Sequence, residues 1–102
     1  MDKNLTSKQR SYLRGLANGL SAIVMIGKAG VTPEVVKMVD EALAKRELVK
    51  IGILDNTDLE VAVAARMVSE RTRSAVVQVI GRKIVVFRKA KDPKDAKITL
   101  PR

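Results

Sequence analysis

Short apolar segments rich in β-branched residues alternate in this sequence with segments whose apolar residues recur at helical spacing. The strand-like segments span residues 22–26, 48–54, 74–80 and 84–88. Helical segments precede the first strand and separate the first three strands, so the predicted order is α-β-α-β-α-β-β. Strands separated by helices pair in parallel through right-handed crossovers, whereas the last two strands form a hairpin through Gly81 and Arg82. We therefore predict an α/β single-domain two-layer sandwich with a four-stranded mixed sheet.

Capping signals and apolar spacing place the three helices. A capping box, or a Thr N-cap followed by Pro, satisfies backbone N–H groups at a helix start. These pairs are Thr6 with Gln9, Thr32 with Pro33, and Thr57 with Glu60. The apolar stripes predicted to face the core are Leu13, Leu16, Ala17 and Leu20; Val35, Val39, Ala42 and Leu43; and Leu59, Ala62, Val63 and Met67, with the third helix extending to Arg71.

Charge is segregated along the chain, whose formal net charge is +9. Residues 1–33 carry five basic and one acidic residue, residues 34–60 carry four and seven, and residues 61–91 carry eight and one. Such a high positive charge on a small domain indicates a polyanionic partner such as RNA, DNA or an anionic membrane surface. We expect one basic face and one acidic patch, with Asp40, Glu41 and Glu47 as solvated groups or local ion pairs.

The residue types that are absent narrow the possible functions. The chain has no His and no Cys, which excludes zinc fingers, disulfide frameworks and His-dependent triads. We expect no cofactor and no metal site. The first residues lack the apolar run of a secretory signal, and no apolar stretch reaches the ~20 residues of a membrane span. We therefore expect a cytoplasmic monomer that does not bind membranes.

Parallel strands bring several loops to one edge of the predicted sheet. The carboxyl ends of the first three strands share that edge, where ligands of open α/β sheets bind. The connections collected there span residues 27–30, 55–58 and 81–82. The first helix would run antiparallel to the first strand and direct its basic N-terminal part to the same edge. The basic residues expected there are Lys3, Lys8, Arg10, Lys28, Arg82 and Lys83.

The connection Gly27-Lys28-Ala29-Gly30 is the sharpest motif in the sequence. Glycines allow close approach of the backbone to a ligand, and the helix start that follows favours a phosphate. KH domains clamp a nucleic-acid backbone with a similar G-x-x-G loop. The competing interpretation is that the glycines only make a tight strand-to-helix turn. Neither nucleotide-binding glycine pattern, G-x-x-x-x-G-K-[ST] or G-x-G-x-x-G, occurs.

Other interpretations remain open from the residues alone. Asp55 and Asp58 fit either a helix start or a hard-metal site, so an enzyme that uses them or Lys28 on a phosphorylated substrate is one alternative. A protein–protein adaptor and a general nucleic-acid-binding domain are others. Tyr12 and Phe87 are the only aromatic residues, which argues against a platform for base stacking. We expect Phe87 in the core.

Four ordered segments make the chain resemble the CRM domain family (chloroplast RNA splicing and ribosome maturation), and most closely its stand-alone bacterial YhbY type. The resemblance extends from about residue 5 to residue 88. The segments are LTSKQRSYLRGLA, VMIGKAGVTPEVV, DEALAKRELVKIGIL and VVQVIGRKIVVFR. Two family histidines are replaced, by Asn18 and Arg46, which leaves no essential role for those histidines here.

The resemblance implies a fold like the C-terminal domain of translation initiation factor three. It also implies non-catalytic binding of structured ribosomal RNA and association with precursors of the large ribosomal subunit. We expect a domain over residues 1–90 and a charged tail over residues 91–102, either mobile or forming an edge segment at 98–100. The expected RNA-binding residues are Gly27, Lys28, Ala29, Gly30, Lys8, Arg10, Arg14, Arg82 and Lys83.

Overall fold

The computed structural model describes residues 5–102, so Lys3 lies outside the described residues. The elements are α1 (Ser7–Ala17), β1 (Val24–Ile26), α2 (Pro33–Arg46), β2 (Leu48–Ile53), α3 (Val61–Thr72), β3 (Ala75–Ile80), β4 (Lys83–Phe87) and a 3-10 turn at Pro93–Asp95. The predicted α/β class and order of elements are confirmed. The hairpin between β3 and β4 turns at Gly81, whose φ of 56° suits glycine.

The four strands form one mixed sheet in the order β1-β2-β4-β3. β1 is parallel to β2, and β4 is antiparallel to both β2 and β3. β1, β2 and β3 therefore run in the same direction, as predicted, although β4 lies between the last two. Their carboxyl ends meet at one edge of the sheet, which we call the rim.

Helices cover both faces of this sheet. On one face α2 and α3 enclose the larger core, which includes Ile26, Val39, Ile51, Val68 and Ile84. On the other face α1 packs across β2 and β3. The smaller core there consists of Leu13, Ala17, Leu48, Val77, Val85 and Phe87. The predicted core position of Phe87 is confirmed, and α1 adds partial cover to the second face of the predicted sandwich.

The first two helix starts agree with the capping signals. Thr6 and Gln9 form the complete capping box, and Thr32 caps α2. The third prediction was wrong, because α3 begins only at Val61 and has no side-chain cap. Thr57 instead accepts a hydrogen bond from the N–H of Leu59 at 3.3 Å. A buried Thr that bonds two residues ahead makes a local turn, which competes with helix initiation.

The apolar stripes were predicted unevenly. The α2 stripe is confirmed, with Val35, Val39 and Leu43 buried. In the first stripe, Leu16 and Leu20 remain 39% and 36% exposed, because α1 ends at Ala17 and packs on the sheet through Leu13 and Ala17. The α3 stripe is displaced by the later helix start. Its buried residues are Ala64, Ala65, Val68, Ser69 and Thr72.

Glu47 was wrongly predicted to be solvated. Its side chain is fully buried, and its carboxylate accepts three backbone hydrogen bonds from the C-terminal segment. The N–H of Ala90 donates at 2.7 Å, that of Lys97 at 2.6 Å and that of Ile98 at 2.9 Å. Ile98 and Leu100 pack on the smaller core. The segment after Ala90 is thus attached to the domain without forming an edge strand.

Within residues 5–102, none of the helices combines the length and the apolar character needed to cross a bilayer. The charged faces of α1, α2 and α3 instead lie outward over the two cores, with residues such as Lys8, Lys37 and Arg66 exposed.

Candidate functional site

The G-x-x-G segment forms a closed turn at the rim. The N–H of Gly30 donates to the carbonyl of Gly27 at 2.9 Å, which places Lys28 and Ala29 at the tip. Both tip residues are exposed and neither has a positive φ, as a type I turn requires. Gly30 has a φ of 78°, a conformation that residues with a Cβ rarely adopt. The motif therefore does have the structural role of a tight turn.

The tip of this turn also presents unused hydrogen-bond donors. Within residues 5–102, the backbone N–H groups of Lys28 and Ala29 donate to no protein acceptor. They belong to consecutive exposed residues, beside the ammonium group of Lys28. Consecutive backbone N–H groups in a turn form a concavity that binds anions. The tip thus combines two free donors with one full positive charge.

The start of α2 contributes less to anion binding than its position suggests. Thr32 accepts hydrogen bonds from the N–H of Val35 at 3.1 Å and from that of Val36 at 3.0 Å. Pro33 has no N–H, and Glu34 places a negative charge in the first turn. The helix start is therefore largely satisfied by its own residues, and the donors of the turn matter more.

Apolar side chains of the connection after β2 pack against the turn. A Cβ built on Gly27 would lie 3.6 Å from Cδ1 of Leu54, and one built on Gly30 would lie 3.8 Å from Cδ2 of Leu59. The N–H of Leu54 also donates to the carbonyl of Ile26 at 2.9 Å. These contacts join the turn to the connection after β2, so the structure brings two of the three predicted rim connections into contact.

Arg82 brings the third connection to the same place, because its partly exposed guanidinium is bound to the connection after β2. Its Nε donates to the carbonyl of Ile53 at 3.1 Å and its Nη2 donates to that of Leu54 at 2.6 Å. Nε also lies 3.2 Å from Oδ1 of Asp55. With its guanidinium engaged in this way, Arg82 primarily fixes the β2 connection that supports the turn.

The remaining predicted basic residues do not all reach the rim. Lys83 begins β4 and is exposed beside the hairpin. Arg10, however, donates from Nη1 to the carbonyl of Val76. Val76 lies four residues before Ile80, at the rim end of β3, which is about 13 Å away at 3.3 Å per residue. The expectation that Arg10 is directed to the rim was wrong, because α1 crosses the sheet near the opposite strand ends.

Lys8 and Arg14 flank Arg10 on α1. Lys8 is exposed, whereas Arg14 is half-buried. Arg14 lies four residues after Arg10 and therefore on the same side of the helix. These two residues are basic surface on the α1 side of the sheet, apart from the turn.

The basic residues of the segment 61–91 do not form one face, because several of them lie in a second cluster. β4 runs away from the rim, so the residues that follow it lie at the far end of the sheet. There a cavity of about 480 Å³ is lined by Arg71, Arg73, Arg88, Lys89 and Lys91, together with three aspartates. Arg88 pairs with Asp40 at 2.6 Å. The prediction of a single basic face was wrong, since residues close in sequence are divided between the two ends.

Arg71 lines the far-end cavity and also reaches the segment after the turn, a contact that the sequence interpretation missed. Its Nη1 donates to the carbonyl of Val31 at 3.1 Å, and Val31 directly follows Gly30. Arg71 was assigned only to the end of the predicted third helix. An arginine at the edge of an apolar stripe extends its charged group past the core, which is the signal that identifies such a residue.

The acidic residues of the β2 connection do not assemble with other carboxylates. Asp55 is used by Arg82, and Asp58 is exposed. Across residues 5–102, no group of three or more acidic side chains is placed to hold a metal ion. The chemistry that the rim offers consists of backbone donors and cations.

Known proteins are similar to this chain in sequence and in fold. Residues 5–88 match the model of the CRS1 / YhbY (CRM) domain family. A Bacillus subtilis protein named probable RNA-binding protein YqeI is 36% identical over 94 residues, covering 92% of this chain and 98% of that protein. A Haemophilus influenzae protein named RNA-binding protein is 34% identical over 98 residues, with 96% of each covered. The solution structure of a hypothetical Staphylococcus aureus protein, described as a candidate RNA-binding protein, has a TM-score of 0.78 and 42% identity, covering 95% of this chain and 99% of that one.

Proposed function

The chain belongs to the CRS1/YhbY (CRM) domain family, and on that premise we propose that it is a non-catalytic RNA-binding protein whose G-x-x-G turn holds the RNA backbone. The observation that carries the proposal is the pair of free N–H groups at Lys28 and Ala29, next to the Lys28 ammonium. A phosphate needs several donors and a positive charge within a small space. Its relatives' names, which describe RNA-binding proteins, point the same way.

Lys83 extends the binding surface from the turn across the hairpin, whereas Lys8 and Arg14 provide a separate basic surface on α1. Arg82 and Arg71 act differently, because both donate to carbonyls of the segments that support the turn. We assign them the positioning of the turn, with only a part of their charge available to RNA.

We propose that the RNA is structured ribosomal RNA in precursors of the large ribosomal subunit, and that the protein acts in the cytoplasm. The support is the family resemblance of the four segments, together with a compact turn whose free N–H groups suit phosphates, which all RNA sequences share. Crosslinking in cells followed by sequencing of the attached RNA tests this assignment. Enrichment of large-subunit ribosomal RNA is expected, and enrichment of messenger RNA alone would contradict it.

The dependence of binding on salt tests the phosphate contacts. If four to six phosphates are neutralised, log affinity falls with log salt with a slope of roughly −3 to −4, at about −0.7 per contact on single strands. Lys28→Ala should lower affinity and reduce the slope by about 0.7. Lys37→Ala is the matched control, because Lys37 is an exposed lysine on α2. Equal effects of the two variants would show that only net charge matters.

Proline at residue 28 separates the backbone donor from the charge. Lys28 occupies the second position of the turn, where proline is favoured, so Lys28→Pro removes the N–H without opposing the fold. It should bind RNA more weakly than Lys28→Ala, although both have lost the same charge. Equal affinities of the two variants, with equal melting temperatures, would leave Lys28 as a simple charge and refute the backbone clamp.

A further inference from the structure

One row of residues crosses all four strands on the sheet face that α1 only partly covers. The strand register pairs Met25 with Gly52, Gly52 with Lys83, and Lys83 with Ile80. The residues next to them along the strands, such as Ile53, belong to the core beneath α2 and α3. Since side chains alternate along a strand, the row faces the α1 side. We call these four residues the open row.

The open row presents two apolar side chains to solvent. Met25 is 43% exposed and Ile80 is 59% exposed. Gly52 lets the Met25 side chain lie down on the sheet, because a Cβ at Gly52 would be 2.7 Å from its Cε and 2.8 Å from its Sδ. The thioether of Met25 therefore covers the middle of the row and presents a polarisable surface to solvent.

The surroundings of this row carry positive charge. Lys83 is part of the row, and Lys50 lies two residues before Gly52 on the same face of β2. No acidic residue occurs in the strand segments β1, β2, β3 and β4. Three strand spacings make the row about 14 Å wide, and two residues along a strand add about 7 Å. In RRM domains a four-stranded sheet stacks two or three bases on aromatic side chains, and the open row offers a thioether and an aliphatic side chain on a surface of similar extent.

The row also begins close to the G-x-x-G turn. Met25 lies two residues before Gly27, about 7 Å along the chain. We propose that the open row contacts the bases of a single-stranded RNA segment whose backbone the turn holds. The inference rests on the proposed function. The contacts are thioether and aliphatic rather than aromatic, and a methionine sulfur favours the edge of an aromatic ring.

Abasic RNA separates base contacts from phosphate contacts. An oligoribonucleotide and a version with abasic sites have the same phosphates, so wild type should bind the abasic version more weakly. Met25→Ser and Ile80→Ser should weaken binding to the intact strand about two- to tenfold and reduce the difference between the two strands. Their salt slope should equal that of wild type. Met38→Ser is the matched control, because Met38 is 48% exposed on α2.

Gly52→Ala provides a second variant that keeps every exposed side chain. Its Cβ must displace the end of Met25, so it should also reduce the preference for intact RNA. Equal affinity of wild type for both strands, with a steep salt slope, would overturn the open row and leave the proposed function standing. An effect of Met38→Ser as large as that of Met25→Ser would overturn it as well. Failure of wild type to bind either strand would overturn both.

Discussion

Replacing Glu47 with glutamine tests the attachment of the C-terminal segment. Glutamine has nearly the same size but offers one acceptor oxygen, whereas the carboxylate accepts from Ala90, Lys97 and Ile98. If the oxygen stays at Oε1, the N–H of Ala90 faces an NH₂ group and loses its acceptor. The other two bonds change from charged to neutral acceptors.

The magnitude follows from these three bonds. An unsatisfied buried donor costs about 1–3 kcal/mol, and a neutral acceptor is weaker than a charged one by about 1 kcal/mol for each bond. Glutamine also avoids the cost of burying a charge, which offsets a part of this loss. We expect Glu47→Gln to lower the free energy of unfolding by about 2–3 kcal/mol. Glu41→Gln, on the exposed side of α2, should change it by less than about 0.5 kcal/mol.

Urea unfolding measures the difference, and amide hydrogen exchange locates it. The N–H groups of Ala90, Lys97 and Ile98 should lose protection before those of the strands. Glu47 also has a φ of 66°, so glycine relieves backbone strain there but removes the carboxylate. Glu47→Gly should therefore destabilise the protein. A stabilising effect of glycine, or equal stability of Glu47→Gln and Glu41→Gln, would refute the role of the carboxylate.

Three further predictions concern the turn, its neighbours in the β3–β4 hairpin and the ion pair at the far end of the sheet. Gly30→Ala should lower the free energy of unfolding in urea by about 1–2 kcal/mol, because φ at Gly30 is 78°. Gly27→Ala, whose Cβ would make only an ordinary contact at 3.6 Å, should unfold like wild type, and equal losses would contradict the role of the positive φ. Arg82→Gln should lower the free energy of unfolding by about 1 kcal/mol, because it loses its hydrogen bonds to two carbonyls. Lys83→Gln should weaken RNA binding in a titration without changing the melting temperature, and the reverse pattern would make Lys83 the structural residue and Arg82 the RNA contact. Asp40→Asn should cost less than about 1 kcal/mol in urea unfolding, because Asp40 is 57% exposed in its pair with Arg88, and a larger loss would show that the pair is not screened by solvent.

The order of elements was predictable because it depends on local signals. Apolar spacing, the capping box at Thr6 and the Thr32-Pro33 pair act within a few residues, so one sequence suffices to find them. The shared direction of β1, β2 and β3 followed from the crossover rule. The capping-box spacing was misleading at Thr57, because this buried Thr makes a local turn and does not cap a helix.

Contacts between distant residues were not predictable in this way. Glu47 resembles any solvated acid in sequence, and only the return of the chain over residues 90–98 supplies its three donors. Arg10 and Arg82 likewise seem free until the fold brings carbonyls to them. The turn was found because its glycines are local, whereas the open row depends on the register of four strands.

The most direct test of the proposed RNA clamp is to follow the backbone amides of the labelled protein by NMR during titration with an RNA oligonucleotide. We expect the largest shift changes at the N–H groups of Lys28 and Ala29, because these donors are free in the turn and gain a phosphate acceptor. Smaller changes are expected at Gly30 and Lys83. Saturable RNA binding that leaves the amides of Lys28 and Ala29 unshifted would contradict the proposal that the turn holds the RNA backbone.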